Sequence, residues 1–164
     1  MGTSTPLQNI IRQIVDIHEN QLWMGDNFSK KLNQITEEQF FERPLPALHT
    51  VAEILAHLTV WRGYAIRQIQ KEDHQHAVTS EYDWQSLESL KNRGMVRIRK
   101  EYQQSLDKLI EVLKRQEEGF LETKYYDPGY KGTYPYSFLV EGMLHHDLYH
   151  LGQLGIIIKL MPQP

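Results

Sequence analysis

Three histidines fall within six residues in the stretch HHDLYHLGQL, residues 145–154. His146 and His150 stand four apart, so on a helix they share a face, one turn above the other. Two imidazoles on one face can reach one metal ion, but two ligands do not complete a site. The third candidate is His57, in AEILAHLTVWR, beside the apolar Ile54 and Leu58. A histidine there is expected to face a packed interior, and it joins the pair if its helix packs beside the last one. Three neutral imidazoles suit zinc, nickel, iron or copper, with zinc–nitrogen distances of about 2.0–2.1 Å. Such a set leaves at least one coordination position open, and water or a thiol there has a lowered pKa. The opposing reading is packing alone. Histidines at i and i+4 recur on helices by chance, and a lone histidine on an apolar face is often a core residue.

The neighbours divide between chemistry and architecture. Asp147 makes HDxxH, one carbon short of the zincin HExxH, so a protease is rejected and a structural hydrogen bond expected. His145 points about 100° away from His146 and is expected on the surface or behind the ligands. Glu53 lies one turn before His57, but a capping box with Thr50 already explains it. Gln153 can orient a ligand or simply pack. Trp61, Tyr64 and Tyr149 can wall a pocket or fill a core. No paired di-iron ExxH, no phosphate-binding glycine loop and no serine elbow is present.

These residues need helices to hold them. Thr5, Pro6 and Gln8 open a first helix whose apolar stripe (Leu7, Ile10, Ile11, Ile14, Ile17, Leu22) predicts a run through Trp23 to about Leu32. Thr36–Gln39 opens a short helical turn, ended by Pro44 and Pro46. Thr50 and Glu53 open a second long helix to about Lys71. After a polar connector, Asp83 is expected to cap a third helix over residues 84–116, with Val96 in its stripe and Gly94 a weak point. Pro128, Gly129 and Gly132 mark turns among tyrosines that hint at extended pieces. The last helix runs from about Pro135 to about Leu160 and, apolar on several sides, is expected to be the most buried. Four long helices predict an all-α fold, a four-helix bundle with a short extra turn, in a single domain spanning residues 1–164.

Composition narrows the function. The chain has 164 residues, 40% hydrophobic and 24% charged, with a net charge of −3. No basic excess marks a nucleic-acid binder. No cysteine is present, which removes thiolate nucleophiles and Cys-ligated zinc, so any sulfur nucleophile would arrive on a substrate. No secretory signal is seen, and GIIIKLM is too short to span a bilayer, so a soluble cytoplasmic protein with no membrane partner is expected.

Taken together, HTVAEILAHLTVWR and, some ninety residues later, HHDLYHLGQLGIIIK resemble the DinB/YfiT-like family over nearly the whole chain. The resemblance implies a four-helix bundle in up-down-down-up order, often homodimeric. It implies metal ligation by His57, His146 and His150, with Gly152 and Gln153 completing an HxxxHxGQ element. One departure is His49, where relatives often carry tryptophan before the helix cap. It is expected at the pocket mouth or surface. The family's chemistry includes transferases and isomerases using low-molecular-weight thiols and some hydrolase-like members. The expected function is therefore a divalent-metal enzyme acting on a small molecule, a thiol-dependent S-transferase or hydrolase. Zinc or nickel is the first expectation for the metal, iron or manganese the next. A non-catalytic metal- or ligand-binding helical dimer is the alternative.

Overall fold

The computed structural model describes residues 4–72 and 80–161. It is mostly helical: α1 Pro6–His18, α2 Phe28–Leu32, α3 Glu37–Phe41, α4 Val51–Gln70, α5 Ser80–Asp83, α6 Leu87–Arg93, α7 Met95–Lys114 and α8 Tyr136–Leu160. An antiparallel hairpin, β1 Lys124–Asp127 and β2 Gly132–Pro135, pairs Tyr125 with Tyr134 and Asp127 with Gly132. The tyrosine-rich extended pieces are thus a two-stranded addition to an otherwise helical chain. Among the described residues, no helix is long and apolar enough to cross a membrane.

Local chemistry sets the helix starts. Capping boxes close at Thr5–Gln8, Thr36–Gln39 and Thr50–Glu53, each satisfying two backbone donors that the first turn leaves open. Two expected helices are interrupted. The first ends at His18 rather than near Leu32. Gly25 turns at φ 82° and Asn27 caps a new helix through Lys30 N at 2.7 Å, leaving Trp23 exposed. The third is split at Gly94, where φ 81° and ψ 151° exclude helical continuation. Its cap is Ser86, not Asp83, and the break rephases the stripe so that Val96 faces outward.

Packing brings α4 and α1 each against both α7 and α8. The expectation that α8 is the most buried helix is corrected: α4 is buried without interruption from Val51 to Leu58, whereas α8 exposes Leu148, Tyr149, Ile156 and Leu160. A polar cluster ties the four long helices together. Asp147 on α8 accepts from Arg62 on α4 at 3.2 Å and lies 2.8 Å from His18 on α1. Tyr102 on α7 bonds the other nitrogen of His18 at 2.6 Å. The Tyr102 hydroxyl donates to Nδ1, and His18 Nε2–H donates to Asp147, so both ring nitrogens of His18 are used. Arg62 also sits 4.5 Å over the Tyr102 ring.

Candidate metal centre

Because α4 lies against α8, residues 89 positions apart in sequence meet. His57 Nε2 lies 2.9 Å from His146 Nε2, and His150 Nε2 lies 3.0 Å from that same atom. The three ligand atoms lie within 4.8 Å of one another and can hold a metal ion. His57 and His150 are buried and His146 half-buried.

The outer nitrogens decide what the inner ones can do. His57 Nδ1 donates to Asp83 Oδ1 at 2.7 Å, and His150 Nδ1 donates to Gln153 Oε1 at 2.7 Å. A neutral imidazole that donates from Nδ1 carries a lone pair on Nε2. Two lone pairs therefore converge on His146 Nε2. In the metal-free chain that atom can be the single donor between them; with a cation it supplies the third lone pair. Burial pushes all three histidines below their ordinary value, and for His146 and His150 the neighbouring rings of the triad add to it. His146 falls to about 4 and His150 to about 3, and for His57 burial outweighs the opposing pull of Asp83. All three are thus unprotonated at neutral pH, the form that binds metal.

Asp83 and Trp84 are the functional neighbours that sequence reasoning missed. Asp83 Oδ1 also accepts from Trp61 Nε1 at 2.7 Å, fixing one carboxylate oxygen between indole and imidazole. Trp84 stacks on His57 at 4.0 Å and on His49 at 3.6 Å, so three rings form a slab over one side of the site. Both residues lie just after the polar connector, outside any helical stripe. Only an aspartate beside an aromatic residue hinted at a role. The other candidates separate cleanly. Gln153 orients His150 and donates to the Tyr149 hydroxyl at 3.0 Å. Glu53 closes its capping box and accepts from Arg43 at 2.6 Å, without touching His57. Asp147 turns into the Arg62 cluster, and His145 is exposed.

A cavity of about 310 Å³ opens beside the histidines, with His57 and His146 in its wall and Trp61 and Tyr64 beside them. A molecule seated there would meet His57 and His146.

Residues 22–154, most of the chain and all three histidines, match a family model described as the DinB superfamily. No curated protein and no solved structure matches the chain.

Proposed function

We propose that this chain, which belongs to the DinB superfamily, is a divalent-metal-dependent enzyme whose ligands are His57, His146 and His150. The carrying observation is the donation of Nδ1 hydrogens from His57 to Asp83 and from His150 to Gln153, which aims two Nε2 lone pairs at His146. The donor set of three neutral imidazoles fits zinc or nickel first, iron or manganese next. When bound, the cation supplies Lewis acidity and lowers the pKa of water or a thiol taking its remaining position.

The chain's own residues do the rest. Asp83 and Gln153 hold the two rings in one tautomer and orientation, which raises their basicity toward a cation. Trp84 covers His57 and keeps water from that side. The neighbouring cavity receives a small molecule, and the absence of cysteine leaves sulfur chemistry to the substrate. We read the long helices α1, α4, α7 and α8 as a four-helix bundle of up-down-down-up order. We assign the activity to thiol-dependent S-transfer or hydrolysis.

Cobalt-substituted protein tests this reading. Adding a low-molecular-weight thiol is expected to change the visible d–d spectrum and add a sulfur-to-cobalt charge-transfer band. A spectrum unmoved by thiol would remove the transferase version. A full set of protein ligands with no exchangeable position would remove the enzymatic reading.

A further inference from the structure

The cavity beside the histidines has a second end with different chemistry. Asp127 lines it and is only 5% exposed. Its Oδ1 accepts from the backbone N–H groups of Gly129 at 2.8 Å and Tyr130 at 3.1 Å, closing the hairpin turn. Its Oδ2 has a single long contact, from the Tyr125 hydroxyl at 3.3 Å. Among the described residues no lysine, arginine or histidine pairs with this carboxylate. The turn therefore accounts for one oxygen and leaves the other to neutral phenols, Tyr125 and the neighbouring Tyr64, with no counter-ion. Tyr64, only 4% exposed and lining the same cavity, brings its hydroxyl beside this carboxylate. Burial and the nearby Asp127 carboxylate push the Tyr64 phenol up, so it stays neutral.

The remaining wall at this end is aromatic. Trp61 meets Tyr64 edge-on at 5.7 Å, and Tyr130 meets Phe138 edge-on at 6.0 Å. A buried carboxylate without a counter-ion, beside the indole of Trp61 and below the more exposed rings of Tyr130 and Phe138, suits a cation. The rings offer negative faces and the carboxylate offers charge. An anionic group would meet Asp127 with like charge, and a neutral one would leave the carboxylate uncompensated.

We propose that this cavity binds a small primary amine as its ammonium ion, seated between Asp127 Oδ2 and the aromatic wall formed by Trp61, Tyr130 and Phe138. The opposite end of such a molecule reaches His57 and His146, which share the cavity. As a statement of substrate class this rests on the metal-enzyme reading; ammonium binding itself does not.

Calorimetry on the full chain tests it, metal-free and zinc-loaded, with 2-phenylethylammonium and its neutral and anionic counterparts 2-phenylethanol and 3-phenylpropionate. The ammonium is expected to bind about tenfold or more tighter than either counterpart in the metal-free form, and than the neutral alcohol in the zinc-loaded form, where the carboxylate probe can also ligate zinc. Asp127→Asn keeps an oxygen for the Gly129 and Tyr130 N–H groups, so the turn persists, and it is expected to erase the preference. In the unaltered protein the ammonium is expected to shift the indole N–H resonance of Trp61 and leave that of Trp23 in place, which locates binding independently of the variant. Equal binding of the three probes by the metal-free form, a preference that survives in Asp127→Asn, or an unmoved Trp61 signal would overturn the proposal. Ammonium selectivity in a chain that takes up no zinc would sustain this site and remove the metal reading. Zinc uptake without selectivity would do the reverse.

Discussion

Two hydrogens decide the chemistry of the triad, those on Nδ1 of His57 and His150. If Asp83 fixes the first, Asp83→Ala should weaken zinc binding roughly 10–100-fold while leaving the helices intact. Competition with a chromophoric chelator measures this, and an unchanged affinity would show that Asp83 merely closes a loop. The same residues set a pH dependence. His18, His57, His146 and His150 all sit below their ordinary value of 6.5 through burial. Below about pH 6.5 the unfolded chain takes up protons that the folded chain refuses, down to about pH 4 for His146 and about pH 3 for His150. Stability of metal-free protein is thus fully present above about pH 6.5 and falls as pH drops below it. Melting curves should show this fall beginning well above the carboxylate range; a Tm that stays flat from pH 6.5 to 4.5 would contradict the assignment of neutral buried rings. At this scale the sequence was informative about His57, His146 and His150, because helical spacing and flanking apolar residues bring them to light. Asp83 was not legible. It bonds to a ring 26 positions away, and no local pattern records that.

Elements place those atoms, and the buried cluster of His18, Arg62, Tyr102 and Asp147 joins all four long helices. Arg62 lies five residues after His57 on α4, and Asp147 lies one after His146 on α8. Pairing Arg62 with Asp147 therefore holds the two histidine-bearing helices in the alignment that brings the triad together. Arg62 holds the Asp147 carboxyl down at about 2 against the cost of burial, so the pair persists well into acid. Asp147→Ala leaves a fully buried guanidinium without its counter-charge and should cost about 3–5 kcal/mol. Denaturant unfolding measures this, and metal affinity should fall with it; a loss below about 1 kcal/mol would mean that apolar packing alone sets the alignment. The capping boxes made the starts of α1, α3 and α4 readable. The breaks were harder. A stripe that runs on to Leu22 hides the turn at Gly25, and good helix formers on both sides of Gly94 hide its positive φ. In both places backbone geometry overrides a favourable pattern of side chains.

The whole molecule gathers histidines of the triad and a buried carboxylate around one cavity. Its histidines come from α4 and α8, its buried aspartate from the hairpin, and its covering tryptophan from the segment between α5 and α6. A mostly helical fold was legible from periodicity, but the cavity was not. Asp127 carries no signal of its own beside the turn markers Pro128 and Gly129, and its burial depends on how the hairpin sits against α8. The central claim is that the three imidazoles bind one cation. It is tested most directly by elemental analysis of untagged protein purified without a nickel column and then equilibrated with zinc, alongside His57→Ala. The unaltered chain should carry about one equivalent of metal per protomer, and the variant should lose it with its helical circular dichroism preserved. An unaltered chain that takes up no metal, or a variant that keeps a full equivalent, would contradict the account.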